Sequence, residues 1–431
     1  MDNTEAANKT NDNNLKRDLA AEAEKLIEWL AVFGSDSHDG VTRLLYTQEW
    51  LAGQQAVAAK MREYGLNVYD DRVGNVFGRL DGILPDSKTI ITGSHLDTVN
   101  NGGKYDGAYG IIAGMIALNY LLQTYGSPKR SLEVVALCEE EGSRFPLTFW
   151  GSGNITGHHN FEQIKGMKDT DGILFMEAMK ESGYGDPSLK PTHRNDIAAF
   201  IELHIEQGIV LERRGYRLGI VDAIVGQKRF NFTITGETGH AGTTPMTLRK
   251  DAMAGAAEMI LQLEKTALRV GKPLVATVGR ITAEPNASNV IPGKVTFSVD
   301  VRHTAENDLN QFCIGMISRF QEIAAARELH LDCHQWMDEK PVQLNDHLTG
   351  KLEQICRNHD ISHHRMVSGA GHDSQIFQPH CPTVMLFVPS LRGISHSPLE
   401  FSSPESMADG ILVLIDLLYH LGYEENLDEN L

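Results

Sequence analysis

Apolar residues recur along the chain at two different periods. From Leu15 to Phe33 the positions Leu15, Leu19, Ala23, Leu26, Leu30 and Phe33 step by three and four, which is one face of a helix, and Gly34 follows as a stop. Short continuous apolar runs then alternate with helical stretches. They are TIITGS at 89–94, a helix from about Gly107 to Tyr125, LEVVALC at 132–138, AFIELHI at 199–205 and TVMLFVP at 383–389, and a helix from about Met407 to Leu421 closes the pattern. This alternation predicts βαβ units around a buried sheet.

Between about Ala223 and Val342 the pattern changes to strand (RFNFTIT), helix (AMAGAAEMILQLEKTAL), strand (LVATVGRI), strand (KVTFSVDVR), helix (NDLNQFCIGMISRFQEIAAAR) and strand (LHLDCHQW). That β-α-β-β-α-β order is the ferredoxin-like arrangement. The expected architecture is therefore α/β, with residues 15–222 and 343–431 forming one domain and residues 223–342 inserted as a second. Residues 1–14, rich in Asn, Asp and Thr, offer little to bury and are expected to be a disordered lead.

Composition narrows the function classes. Lys plus Arg number 39 against 57 Asp plus Glu, a formal net charge of −18, which argues against a nucleic-acid or anionic-membrane surface as the main task. Five cysteines, Cys138, Cys313, Cys333, Cys356 and Cys381, are scattered without a CxxC pair, so neither a disulfide framework nor a thiolate zinc site is expected. The start is polar and no apolar run approaches the length of a membrane span. The expectation is a cytoplasmic protein.

Four strand ends carry acid or imidazole groups. The segment GSHLDTVNNGGKYDG places His95, Asp97 and Asp106 just after TIITGS, where open α/β sheets bind ligands; it could equally be a polar loop with Asp106 capping a helix. Glu139, Glu140 and Glu141 follow LEVVALC, and three adjacent carboxylates repel unless solvent or cations neutralise them. His204 in IELHIEQG and His396 in GISHSP follow two further strands. Each histidine alone reads as structural, and EEE alone as a solvated turn. Together they supply the imidazole and carboxylate set that suits zinc, manganese or cobalt. His158, His159, His363 and His364 lack such convergent partners and are expected to be core or surface residues.

The ordered motifs SHLDTV, YDG, EEEGSRF, ELHIEQG, GHAGTTPM and SHSP resemble the dinuclear metal-dependent amidase/hydantoinase/carbamoylase family, which is peptidase M20-like. The resemblance runs from about residue 28 to 421, and TRLLYTQEW, VGNVFGRLDG, VGQKRF, SGAGHDSQIF and WMDEKPV look like its allantoate-hydrolysing branch. It implies a metallopeptidase-like αβα catalytic domain with an inserted lid and dimerisation domain. Two divalent cations, Mn2+ or Zn2+ with Co2+ compatible, would be held by His95 and His204 on one side and Glu141 and His396 on the other, with Asp106 bridging. Asp97 would accept the imidazole N–H of His95, and Glu140 would be the general base that takes a proton from water and returns it to the departing amine.

From the inserted domain the resemblance implies that His240 stabilises the oxyanion in the partner subunit's site, making a homodimer part of the enzyme. Gln227, Asn289 and Arg302, with the backbone of Gly369, Ala370 and Gly371, would bind a ureido carboxylate, a guanidinium being suited to a bidentate fork. His372 and Asp373 would support the site or be structural. The implied reaction is hydrolysis of a ureido C–N bond, allantoate and water giving ureidoglycine, ammonia and carbon dioxide in purine degradation. An N-carbamoyl-L-amino acid hydrolase or β-ureidopropionase is the alternative, and a non-enzymatic metal- or ligand-binding protein a further one. The partner is a small-molecule substrate, with neither nucleic acid nor membrane involved.

Overall fold

The computed structural model describes residues 3–35, 39–84 and 87–424, with side chains from Asn14. Residues 425–431, included above in the first domain, and the first two residues of the lead lie outside the described residues. The chain divides into two compact units, one of residues 1–222, 344–366 and 372–431, the other of residues 223–343 and 367–371. Val367–Gly371, expected with the first domain, belongs to the second because Val225 N donates to Ser368 O at 3.1 Å and Arg302 Nη1 to Gly369 O at 2.8 Å.

The first unit is a mixed sheet in the order Asn67–Asp70, Val76–Leu80, Leu132–Leu137, Thr89–His95, Ile197–Ile205, Thr383–Val388, Leu218–Ile224. Its four central strands run parallel and the flanking pairings are antiparallel. Successive side chains of a strand point to opposite faces, and both faces are covered. Ile90, Val134, Ala136, Ala199 and Ile201 pack with residues of the helices Asn3–Ala31, Ala108–Tyr125 and Pro404–Tyr419, whereas Ile91, Val135, Leu137 and Phe200 pack with Ile155 and Phe377. Burial on both sides explains why these strands read as unbroken apolar runs. The first helix begins at Asn3, so from that residue the lead is helical rather than disordered; once the Leu15–Phe33 stretch has nucleated, each added residue gains a hydrogen bond for a single pair of dihedrals.

The second unit has a sheet in the order Ile281–Glu284, Lys294–His303, Gly226–Thr235, His330–Glu339, with Val275–Thr277 also pairing Lys294–His303. All pairings are antiparallel. The helices Ala252–Val270 and Glu306–Ala326 pack on it through Ala256, Met259, Leu263, Met316 and Phe320 against Phe230, Phe232 and Phe297. The run at 274–281, expected as one strand, is two, because Val278–Arg280 set three residues against two, Ser298 and Val299, of the neighbouring strand, where Arg280 O accepts from Ser298 N at 3.0 Å. The last strand carries a bulge between Gln335 and Met337, which inserts Trp336 as an extra residue. All five cysteines are free, and among the described residues no helix is long and apolar enough to cross a membrane.

Gly93 shows how tightly the central strands are set. Its φ is +146°, and a Cβ there would lie 2.0 Å from the carbonyl oxygen of Val135 on the neighbouring strand. Gly93→Ala should lower stability by about 2–4 kcal/mol, from overpacking plus backbone strain. Gly315→Ala, in the helix Glu306–Ala326 with open space around the added methyl, should raise it by up to about 1 kcal/mol. Urea denaturation of both variants checks this, and equal midpoints would contradict it.

Candidate metal centre

The central strands deliver their chemistry at one end. His95 is the last residue of Thr89–His95, Glu139–Glu141 follow Leu132–Leu137, His204 is the penultimate residue of Ile197–Ile205, and His396 lies in the loop after Thr383–Val388. Asp106 precedes the helix Ala108–Tyr125, whose N-cap residue is Gly107, so its carboxylate is free of the capping role considered for it.

The two Asp106 oxygens face different groups. Oδ1 lies 3.1 Å from His204 Nε2 and 3.6 Å from His95 Nε2, while Oδ2 lies 3.2 Å from His396 Nε2. Glu141 Oε1 is 3.3 Å from the same His396 nitrogen. Donor atoms of His95, Asp106 and His204 fall within 4.8 Å of one another, as do those of Asp106, Glu141 and His396. Two other such groupings occur among the described residues, His95 with Glu140 and Glu141, and Glu202 with His204 and His372.

The ring nitrogens are oriented by their neighbours. His95 Nδ1 is 3.0 Å from the Asp97 carbonyl oxygen and His204 Nδ1 is 2.9 Å from that of Ile205. A carbonyl only accepts, so both rings carry hydrogen on Nδ1 and turn Nε2 towards Asp106 Oδ1, which accepts no hydrogen bond although buried. His204 Nε2 also accepts the Gly107 N–H at 3.2 Å, whereas the His95 Nε2 lone pair faces the carboxylate oxygen, an arrangement that is repulsive unless a proton or a cation lies between them. The donor set therefore fits a divalent cation.

Electrostatics agree with that reading. Burial alone would raise the Asp106 carboxyl, but His204, His396 and His95 hold it well below the usual range. Burial works against a charged His95, yet Asp106 and Asp97 raise its pKa well above the ordinary value. Asp106, then Glu141, push His396 up to about 11. Such proton-retaining rings release protons when a cation takes their place. Burial, then the charge of Glu141, raises Glu140 well above the carboxylate range, and His95 opposes this.

Surrounding groups fix the loops. Asp97 Oδ1 accepts from Glu140 N at 3.0 Å and Oδ2 from Glu141 N at 3.1 Å, and its Oδ1 also lies 3.3 Å from His95 Nδ1. Thus the Asp97 backbone carbonyl approaches the His95 ring more closely than its carboxylate does. Arg43, fully buried with its pKa lowered to about 10 by burial, donates to Leu96 O at 2.9 Å beneath the same loop. Glu202 accepts from Ser94 Oγ, Ser374 N and Ser374 Oγ, and Asp373 accepts from Ser152 Oγ at 2.5 Å. His372 is buried with its ring centroid 4.7 Å from that of His204.

The remaining expected residues lie in the second unit and form two groups there. Gln227 and Arg302 are cross-strand partners, both bonded to Asp300: Gln227 Nε2 donates to Oδ2 at 2.7 Å and Arg302 Nε to Oδ1 at 3.0 Å. Arg302 Nη1 takes the Gly369 carbonyl, and the Ala370 N–H goes to Ser368 Oγ at 3.1 Å. Gly371 ends the Val367–Gly371 segment of this unit. Exposed His240 pairs with Val290 in a short ladder, and Ala241 N donates to Asn289 O at 3.0 Å, which sets those two residues side by side. His159 is bonded to Gln163 and to the Thr148 carbonyl, and His363 to the Ile361 carbonyl, a structural role in each case.

Three participants escaped the sequence reading. Gln207 donates from Nε2 to Asp106 Oδ2 at 2.9 Å while its buried Oε1 has no partner; it sits three residues after His204, in a turn with φ +53°. Glu400 accepts from the backbone at Asp106, and its carboxyl is raised to about 7 by burial and then by the Asp106 charge. Asp300 organises Gln227, Arg229 and Arg302. Gln207 lies within ELHIEQG and Glu400 two residues after SHSP, and that proximity is the signal the sequence carries for them.

The chain is 48% identical over 397 residues to an allantoate amidohydrolase of Bacillus subtilis strain 168, covering 92% of this chain and 96% of that protein. It is 44% identical to an allantoate amidohydrolase of Escherichia coli strain K12, covering 93% and 98%. The crystal structure of an amidase of the hydantoinase/carbamoylase family from Burkholderia multivorans matches with TM-score 0.85 at 33% identity, covering 94% of this chain and 98% of that one. Residues 91–420 match the model of peptidase family M20/M25/M40. That match takes in the whole His, Asp and Glu cluster and most of the chain, which belongs to peptidase family M20/M25/M40.

Proposed function

We propose that this chain hydrolyses a ureido C–N bond of allantoate, giving ureidoglycine, ammonia and carbon dioxide in allantoin degradation. The observation that carries the reading is the 48% identity to an allantoate amidohydrolase across 92% of the chain. The family is metal-dependent, and the finer assignment is a pair of Mn2+ or Zn2+ ions, with Co2+ compatible, held by His95, Asp106, Glu141, His204 and His396; the separate environments of the two Asp106 oxygens support a bridging role.

Such a pair, when bound, supplies Lewis acidity towards a carbonyl oxygen and lowers the pKa of water. The residues do the rest. Glu140, buried beside His95 and Glu141, takes the proton of the attacking water and delivers it to the nitrogen that leaves as ammonia. The remaining carbamate loses carbon dioxide to leave the amine of ureidoglycine. Asp97 keeps Glu140 and Glu141 in register through their backbone N–H groups. The second unit serves as a ferredoxin-like lid and dimerisation domain. Its Arg302, with Gln227, Asn289 and the backbone of Gly369, Ala370 and Gly371, binds the substrate carboxylate, and its His240 stabilises the oxyanion in the partner subunit's site. The enzyme acts as a cytoplasmic homodimer.

Ammonia release from allantoate, measured beside N-carbamoyl-L-amino acids and N-carbamoyl-β-alanine, tests the substrate. Allantoate is expected to be turned over fastest, with activity lost on chelation and restored by Mn2+ or Zn2+. Faster hydrolysis of an N-carbamoyl compound would assign the chain to the carbamoylase or β-ureidopropionase branch. Glu140→Gln should retain bound metal and lose about 10²–10⁴-fold in turnover; near-native turnover would remove Glu140 from the base role. Mixing inactive Glu140→Gln and inactive His240→Ala chains should restore activity through heterodimers with one intact site, and no restoration in verified heterodimers would exclude action in trans.

A further inference from the structure

Asp106 and His396 come from loops almost three hundred residues apart in sequence, and one buried carboxylate joins them. Glu400 Oε1 accepts the backbone N–H groups of Tyr105 and Asp106, each at 3.0 Å, and Oε2 accepts Ser395 Oγ at 2.8 Å. Only 3% of the residue is exposed. Gly103 makes the approach possible, since a Cβ there would lie 2.0 Å from Glu400 Oε1.

The segment carrying Glu400 is itself anchored. Leu391 N donates to Phe401 O at 2.8 Å, Ser402 Oγ to Pro389 O at 2.8 Å, and the Phe401 ring meets Tyr105 edge-on at 5.8 Å between centroids. His396 needs such support because its φ is +53°, a left-handed conformation that a non-glycine residue holds only when its surroundings impose it. Ser395, the residue before it, is the one Glu400 grips.

We propose that Glu400 is a positioning residue that fixes the separation of the Asp106 and His396 loops and thereby sets the affinity of the cation held by Asp106, Glu141 and His396. This rests on the metal-centre reading above. Glu400 is in none of the His, Asp and Glu groupings found among the described residues, and it acts through the backbone of Asp106 and the neighbour of His396.

Titration of metal-depleted, full-length protein with Mn2+, followed by calorimetry and by the spin-resonance signal of free Mn2+, tests it. Wild type should bind two ions and His396→Ala one. Glu400→Ala should still bind two, with one weakened about 10–100-fold. Glu400→Gln keeps an oxygen for the two N–H groups, and the Ser395 hydroxyl can turn to accept from the new amide, so most of the affinity should return. Ser395→Ala, which removes the Glu400 contact at 2.8 Å together with the longer 3.4 Å contact of the same hydroxyl to Asp106 Oδ2, should weaken the same ion by a smaller factor. Wild-type affinities for both ions in Glu400→Ala, or in Ser395→Ala should Glu400→Ala not fold, would overturn the proposal. Two tight ions in His396→Ala, or none in wild type, would instead overturn the metal-centre reading and this proposal with it.

Discussion

A buried aspartate facing three imidazoles is the constraint that the first unit is built around. Asp106, His95 and His204 are almost completely shielded from water, and Asp97, Glu139, Glu202 and Asp373 are buried near the same strand ends. Charge removed from water must be paired or hydrogen-bonded, or it neutralises. The chain meets that demand largely with backbone amides. Asp97 accepts two of them, Glu400 accepts two, Glu206 accepts those of Val210 and Leu211, and Glu139 accepts that of Gly142. Several of these bonds also tie one loop to another, Asp97 to Glu140 and Glu141 and Glu400 to Tyr105 and Asp106, so groups that stabilise the acids also hold the segments that carry the His, Asp and Glu cluster.

This explains why the strands could be read from the sequence and the supporting groups could not. A strand buried on both faces leaves an unbroken apolar run, and His95, His204 and the Glu139–Glu141 series stand out because they interrupt or follow such runs. Gln207, Glu400 and Asp300 work through geometry at turns or across a ladder, where hydrophobic period carries no information. The break at Val278–Arg280 was equally hidden, because one apolar run can serve two short pairings along Lys294–His303. Val367–Gly371 joins the second unit through two hydrogen bonds to residues 225 and 302, a tertiary matter with no local signature.

Burial differs between the two sets of candidate residues in the sense that their proposed tasks require. A group that must hold a cation benefits from shielding, which strengthens its field, and the Asp106 cluster is shielded apart from half-exposed His396. The proposed contacts of His240 and Asn289 with a ligand require accessible side chains, and both residues are exposed. His240 uses Nδ1 to accept the Gly242 N–H at 3.0 Å, an arrangement in which Nε2 carries the hydrogen and is available as a donor.

Arg302 raises a question of charge balance that its surroundings answer. Asp300 already binds it twice, which at first sight would neutralise a guanidinium proposed to attract a carboxylate. Asp300 is shared, however, with Arg229, whose Nε donates to Oδ2 at 2.9 Å, and with Gln227. Burial would raise the Asp300 carboxyl, but Arg302 and Arg229 keep it below its ordinary value, so it remains an anion. Two guanidiniums against one carboxylate leave a net positive charge, lining an open pocket with Val275, Thr277, Ser298 and Trp336. Asp300 therefore orients Arg302 without cancelling the local field, which is the pre-set orientation that the proposed carboxylate contact requires.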